Sequence, residues 1–205
     1  MNRPGKLFVL GVLMLIPAGI CPSLASQEDS GWVSLFDGKT LGGWTTVDGT
    51  AGAWTVEDGS ITCSGRASHL FSPRGDYKNF RYRAEIKIND KGNSGMYFRT
   101  KKEGGFPHGY EAQINSTHRD PVKTGSLYNH AKVLDVLVPP DTWFTQEVEA
   151  IGDHIVIKVN GKTTVDYKDS KNTFSEGHFA FQHHDPTCKV AIRKIQVKEI
   201  DGSGK

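Results

Sequence analysis

Apolar and polar residues alternate along several short stretches of this chain, and no run of ten residues shows the period of an α-helix. Four stretches place an apolar side chain at every second position: residues 81–88, 155–159, 178–182 and 190–193. Because successive side chains of a strand point to opposite faces, this spacing predicts strands with one buried face. Asn160-Gly161 favours a tight hairpin turn, with a returning strand over residues 163–167.

Turn signals predict how these strands are organised. Asp-Gly pairs recur at residues 37–38, 48–49 and 58–59, and no linker or internal repeat divides the chain. Short strands with frequent turns are typical of an all-β fold, here a two-sheet antiparallel jelly-roll sandwich forming one domain over residues 30–200. The least regular stretch, residues 116–142, is expected to be a functional loop, since long irregular loops inside compact domains usually are.

Three of the predicted strands carry hydrogen-bonding side chains on the face opposite the apolar one. By alternation this face holds Glu111, Gln113 and Asn115; Gly95, Tyr97 and Arg99; and Ala180, Gln182 and His184. An ordinary solvated sheet face would favour Thr, Lys and Glu, and it is the alternative for each residue taken singly. Together, the amides, acid, arginine, aromatic ring and histidine suit the hydroxyls and ring faces of a sugar.

The charge and the first residues of the chain restrict its partners and its location. The 25 Lys and Arg residues nearly balance the 23 Asp and Glu residues, which argues against a nucleic-acid partner. Arg3 and Lys6 precede the apolar run 7–16, and small residues follow, which predicts a secretory signal peptide over residues 1–25. The mature protein is then expected to be exported, periplasmic or extracellular, with no membrane segment. The alternatives are an uncleaved anchor and a lipoprotein signal ending at Cys21.

The cysteines and histidines show no spacing typical of a nucleophile or a metal site. Removing residues 1–25 leaves Cys63 and Cys188, and pairing between them is left open because a sequence gives no distance. His183 and His184 are adjacent on a predicted strand, so His183 is expected to face the packed side. His118 is expected at the surface.

Several motifs, in collinear order, resemble those of the 3-keto-disaccharide hydrolase domain family. They lie at residues 35–44 (Leu-Phe-Asp-Gly-Lys-Thr-Leu-Gly-Gly-Trp), 54–61, 93–99, 109–114 and 124–128, at Gln182 with His184, and at 193–195. Each motif is weak alone, but the ordered set covers nearly all of residues 31–200. The resemblance implies a concanavalin A-like jelly roll with its site on the concave sheet, in an exported bacterial protein that hydrolyses 3-keto-glycosides.

The implied chemistry begins at C2 of the sugar, whose proton is acidified by the neighbouring 3-ketone. A base removes that proton, the C1 substituent leaves by elimination, and water adds back. At the matching positions we expect Glu111 or His184 as base or acid, and Arg99 as the group that stabilises the enolate. Further substrate contacts are expected from Gln113, Asn115, Gln182, Tyr97, Tyr128 and His130, the last also as an acid or base.

No cofactor is expected, with one exception left open. A divalent metal on Glu111 and His184 would do the same work as Arg99, because either supplies positive charge near the 3-oxygen. No compact ligand spacing in the sequence supports such a metal. The expected partner is a small carbohydrate substrate.

Two other functions fit the same polar face. An ordinary glycosidase needs two carboxylates, and Gln113 and Asn115 stand where further acids would be wanted. Asp135 or Glu103 could supply a second acid from a loop. A non-catalytic carbohydrate-binding module would hold a glycan on this face without cleaving it.

Overall fold

The computed structural model describes residues 30–47 and 54–201, together with Met1. Apart from Met1, the predicted signal peptide lies outside these residues, as does the Asp48-Gly49 turn. The described residues form twelve strands and contain no helix that could span a membrane. The strands are β1 (Val33–Ser34), β2 (Trp54–Glu57), β3 (Ser60–Cys63), β4 (Ser68–Phe71), β5 (Phe80–Ile88), β6 (Ser94–Thr100), β7 (Tyr110–Ile114), β8 (Phe144–Ile151), β9 (His154–Val159), β10 (Lys162–Lys168), β11 (His178–His183) and β12 (Val190–Glu199).

The strands pair into two antiparallel sheets. The larger sheet has the order β10-β9-β8-β5-β12-β3-β2, with β1 paired to β12, and the smaller sheet has the order β4-β11-β6-β7. In both sheets, strands that are far apart in the sequence lie side by side, so several connections pass from one sheet to the other. The predicted all-β, two-sheet antiparallel fold is confirmed.

The core consists of the apolar faces of both sheets. In β5, every second residue is buried and the charged residues between them are partly exposed, as the alternation predicted. Aromatic rings fill the centre: Phe179 stacks on Tyr82 with ring centroids 3.9 Å apart and on Tyr77 with centroids 4.2 Å apart. Buried aromatic side chains of this kind dominate core energetics through the area that they remove from water.

Two local backbone features shape the strands of the larger sheet. Asn160 and Gly161 have φ angles of 49° and 78°, which confirms the predicted hairpin turn between β9 and β10. In β12, Lys194 has a φ of 49°, and the pairing with β5 shifts register there. This bulge inserts one extra residue, so the buried Ile192 is followed by the buried Ile195 and the simple alternation is broken.

The two cysteines of the domain are buried free thiols. Burial raises the pKa of Cys63 to about 11 and that of Cys188 to about 12. Both thiols are therefore protonated at neutral pH, which fits side chains that pack in the interior and do not act as nucleophiles.

Candidate functional site

The predicted polar face is formed by three neighbouring strands of the smaller sheet. Alternate residues of β7 pack into the core, so Glu111 and Gln113 point away from it. The register of β6 sets Tyr97 opposite Glu111 and Gly95 opposite Gln113. On the other side of β6, Ala180 of β11 pairs with Tyr97. The backbone register therefore brings side chains from three separate motifs onto one surface.

A groove runs over this surface in three adjoining compartments. The central compartment, of about 240 Å³, has Asn93, Gln113, Asp120, Gln182 and His184 in its lining. The wide compartment, of about 430 Å³, has Tyr97, Pro107, His130 and Phe174 in its lining. The narrow compartment, of about 130 Å³, has Ser68, His69 and Phe71 in its lining. Glu111 and Tyr128 border both the central and the wide compartments, and Phe106 borders all three.

Glu111 is the most strongly perturbed carboxylate of the groove. It is 8% exposed, and its Oε2 accepts a hydrogen bond of 2.9 Å from the Tyr97 hydroxyl, which in turn accepts one of 3.3 Å from Gln182 Nε2. Burial raises the pKa of Glu111 to about 7, because the Tyr97 hydrogen bond only partly offsets desolvation and nearby Asp120 adds negative charge. A carboxylate with this pKa exchanges a proton readily near neutral pH.

Gly95 provides the space in which the Glu111 side chain lies. A Cβ atom at residue 95 would collide with Glu111 Oε1 and would lie 2.8 Å from the Tyr97 ring. A glycine in the middle of a strand weakens it, and here its position is explained by the close approach of a functional side chain.

The three amides predicted to contact substrate have different roles. Gln113 and Gln182 line the central compartment. Asn115 is fully buried, and its side chain instead holds the irregular loop: Nδ2 donates to the carbonyls of Asp120 and Val122 at 3.0 and 2.8 Å, and Oδ1 accepts from the His118 amide at 2.9 Å. The structure therefore does not bring Asn115 into the groove.

The irregular loop supplies a carboxylate that the sequence patterns missed. Asp120 lines the central compartment with Glu111, and its Oδ2 accepts a hydrogen bond of 3.1 Å from the hydroxyl of Tyr128. Tyr128 is expected here from its motif. Asp120 lies in a stretch without periodicity, so no sequence signal indicates which way its side chain points.

Arg99 does not lie in the groove, in contrast to its expected role. It is 2% exposed, and its guanidinium donates to the backbone carbonyls of Lys78, Gly152 and Phe174 at 2.6 to 3.3 Å. The cause is a bulge: Arg99 has a φ of 48°, and the pairing of β6 with β11 shifts register at this point. Among the described residues that line the three compartments, there is no Lys or Arg.

A histidine pair lies where the irregular loop meets the end of β11. His184 lines the central compartment, and its ring centroid is 5.6 Å from that of His118, which is only partly exposed and does not lie freely at the surface. One ligand atom each of His118, His184 and Asp185 lie within 4.8 Å of one another, so this group could hold a metal. His183 points inward, as predicted, and its ring contacts the carbonyls of Arg66 and Cys188.

The exposed side chains that border the groove from loops include His130 and Phe106. His130 is exposed, with Nδ1 lying 3.3 Å from the Tyr167 hydroxyl. Phe106 is 73% exposed, and its ring lies 6.3 Å from the His69 ring and 6.5 Å from the His184 ring, centroid to centroid. The Phe106 loop is closed at its base by Glu103, whose Oε1 accepts from the His108 amide at 2.7 Å. An exposed ring beside polar groups is suited to stacking on a sugar.

Several solved structures of carbohydrate-related proteins share this fold. A Parabacteroides distasonis protein, classed provisionally as a glycosyl hydrolase, has a TM-score of 0.73 and 23% identity, covering 85% of this chain and 96% of that one. A Bacillus licheniformis β-glucanase has a TM-score of 0.64 and 12% identity, covering 83% and 97%. A Bacillus subtilis carbohydrate-binding module has a TM-score of 0.58 and 22% identity, covering 77% and 96%. The concanavalin A-like jelly-roll sandwich is therefore confirmed.

Sequence comparisons identify the family. No curated protein matches the chain. Residues 31–198 match the family described as the 3-keto-alpha-glucoside-1,2-lyase-like domain, which accounts for nearly all of the described residues. The match includes all three strands that form the groove. This chain therefore belongs to the 3-keto-alpha-glucoside-1,2-lyase-like domain family, as the order of its motifs indicated.

Proposed function

We propose that this protein is an exported enzyme that hydrolyses 3-keto-glycosides by C2 proton abstraction, elimination and hydration. The observation that carries the proposal is Glu111, a buried carboxylate at the border of the central and wide compartments. Its pKa of about 7 suits a base that accepts a proton and later returns it. An elimination between C1 and C2 also agrees with the description of the family as 1,2-lyase-like.

The proposed reaction balances with one molecule of water. Glu111 takes the C2 proton, and the C–H electron pair forms an enolate with its charge on the 3-oxygen. The enolate expels the C1 oxygen, which takes a proton from an acid and leaves as an alcohol. Water then adds its oxygen to C1 of the enone, and its proton restores the acid. The carboxyl proton of Glu111 exchanges with solvent while the enone is bound, and Glu111 then delivers a proton to C2.

Neighbouring residues are suited to the other steps. His130 lines the wide compartment with Glu111 and is the candidate acid for the leaving oxygen. Gln113 and Gln182 line the central compartment, where their amides would orient hydroxyls. Since no described Lys or Arg lines the groove, His184 is the candidate for stabilising charge on the 3-oxygen.

The test is cleavage of a 3-keto-glucoside in D₂O, followed by NMR. Elimination and hydration incorporate solvent deuterium at C2 of the product, and a substrate deuterated at C2 should react more slowly. Reactions without enzyme correct for spontaneous exchange. Glu111→Gln should abolish both cleavage and exchange, whereas cleavage with full retention of the C2 hydrogen and no slowing of the C2-deuterated substrate would contradict the proposal. An unsaturated 3-keto product would show that the enzyme stops after elimination.

A second candidate function follows from Asp120. Glu111 and Asp120 line the same compartment, and an ordinary glycosidase uses a pair of carboxyl groups on one site. Such an enzyme would cleave the unoxidised parent glycoside, and Asp120→Asn would then be as inactive as Glu111→Gln. Binding of both sugars without any cleavage would instead favour a carbohydrate-binding module.

A further inference from the structure

Two histidines and an aspartate come together beside the central compartment. His118 lies on the irregular loop, whereas His184 and Asp185 directly follow β11. One ligand atom from each lies within 4.8 Å of the others. Of the three, His184 also lines the central compartment, so the cluster borders the groove.

We propose that His118, His184 and Asp185 bind a divalent transition-metal ion at the edge of the groove. Two imidazoles and a carboxylate suit Zn²⁺, Co²⁺ or Mn²⁺, whereas Ca²⁺ and Mg²⁺ prefer oxygen ligands. Metal–ligand bonds of about 2.0–2.2 Å set two ligands of one ion at most about 4 Å apart, so a small side-chain rotation closes the cluster. Three protein ligands leave positions open for water or for substrate oxygens.

Hydrogen bonds hold the Asp185 and His184 side chains and the His118 backbone in place before any metal binds. Asp185 Oδ1 accepts from the amide and the hydroxyl of Thr187 at 2.8 and 2.5 Å, while Oδ2 lies 3.0 Å from His184 Nδ1. The backbone amide of His118 donates to Asn115 Oδ1 at 2.9 Å. Anchoring of ligands by such outer contacts is a general feature of metal sites.

Asn93 provides an independent observation at the same place. It is 4% exposed, its Oδ1 has no hydrogen-bond partner in the described part of the chain, and its Nδ2 lies 3.5 Å from His118 Nδ1. Rotating the amide by half a turn brings Oδ1 to that nitrogen, where it would accept a hydrogen bond from Nδ1–H. This tautomer leaves His118 Nε2 free for a metal. The Asp120 amide, now 3.2 Å from Nδ1, would give up that contact.

A metal at this position would also have a catalytic role, and this role rests on the proposed function. The enolate requires positive charge near its 3-oxygen, and the described lining of the groove contains no Lys or Arg. In the metal-bound protein, the ion held by His184, and not the imidazole itself, would supply that charge in the central compartment. Binding of the metal itself does not depend on the reaction.

The test is titration of the untagged, EDTA-treated protein with Co²⁺ and Zn²⁺ by calorimetry, with Co²⁺ also followed by visible absorption. We expect one equivalent to bind. His118→Ala and Asp185→Asn should each weaken binding roughly 100-fold. The matched control is His154→Ala, which removes an exposed histidine of β9 that contacts Asp166 at 2.7 Å, and it should bind as the wild type does. Thermal unfolding of the metal-free variants verifies that they are folded.

The outcomes separate the site from the reaction. Failure of the wild type to bind one equivalent, or equal affinity in folded His118→Ala, overturns the metal site even if C2 exchange is observed. Metal binding without C2 exchange supports the site and contradicts the proposed function. C2 exchange that persists at full rate after complete removal of the metal overturns the catalytic role of the ion.

Discussion

The outer faces of the two sheets both carry a carboxylate, but among the described residues only the larger sheet pairs its carboxylates with cations. There, Glu85 accepts hydrogen bonds from Arg193 at 2.8 Å and from Lys194 at 2.6 Å. On the smaller sheet, Glu111 accepts a hydrogen bond from the neutral Tyr97 hydroxyl and has no ion pair within the described residues. The same residue type, on strands with the same alternation, therefore has two different environments.

The pKa values of these two carboxylates differ in direction. Burial raises the pKa of Glu85 somewhat, but hydrogen bonds from Lys194 and Arg193 outweigh it and hold the pKa below its usual value. Burial raises the pKa of Glu111 to about 7 because no cation opposes it. A polar strand face thus becomes a candidate site where a carboxylate is buried without a counter-charge.

Replacing each of these two carboxylates should give the largest difference in kcat/KM between the two sheet faces. Glu111→Gln should lower kcat/KM for a 3-keto-glucoside by about 10³-fold, because a general base commonly contributes between 10² and 10⁴. Glu85→Gln, made as the control on the other sheet, should keep kcat/KM within about twofold, since Glu85 does not line the groove. Equal losses in the two variants would contradict the distinction between the faces.

The pH dependence of stability should have opposite signs on the two faces. The folded state holds the Glu111 proton more tightly than the unfolded chain, so the contribution of this group to stability falls as pH rises from about 4.5 to about 7. The Glu111→Gln side chain does not titrate, so this variant should lack the loss of about 3 kcal/mol in the free energy of unfolding. Chemical unfolding at several pH values measures the difference. For Glu85, whose pKa is lowered, the contribution is instead lost as pH falls. The prediction is contradicted if the difference in free energy of unfolding between Glu111→Gln and the wild type does not grow between pH 4.5 and 8.

A substitution of Arg99 tests whether this buried cation of β6 contributes to activity in the groove or to stability of the fold. Arg99→Met removes the donors to three backbone carbonyls while keeping most of the volume, and should lower the free energy of unfolding by about 2 kcal/mol. The kcat/KM of the folded variant should stay within about threefold. A loss of about 100-fold at unchanged stability would return Arg99 to its expected role at the enolate.

Gly95 tests how closely the Glu111 carboxylate is confined. Gly95→Ala puts a methyl group against Glu111 Oε1 and the Tyr97 ring, and should cost about 1–2 kcal/mol of stability and displace the carboxylate. The pH at which activity is half-maximal should shift with it. Gly104→Ala is the control because a Cβ there meets nothing within 4 Å. An unchanged pH profile in Gly95→Ala would show that the carboxylate tolerates the methyl group.

Regular strands were the part of the fold that could be predicted. In β5 and β9 the alternation identified the buried residues, and in β7 it identified the residues that face the core, because a period of two links sequence position directly to a sheet face. The same reasoning failed at Arg99, where a bulge adds one residue and turns the side chain away from the predicted face. A bulge depends on how two strands pair, and that information is not local.

The candidate site likewise contains residues that could be assigned from the sequence and residues that could not. Glu111, Gln113 and Gln182 could be assigned to one face from the sequence, because each lies on or near a regular strand. Asp120 and His118 could not, because the irregular loop has no period that relates position to direction. Asn115, expected to contact substrate, holds that loop instead.

By itself, the sequence determined the all-β class, the polar face of three strands and the family to which the chain belongs. Those properties follow from local periodicity and from motifs in a fixed order. Only the tertiary structure decided that Glu111 is buried without a cation, that Arg99 turns away, and that His118 meets His184. The physical reason is that burial, counter-charge and metal geometry depend on distances between residues far apart in the chain.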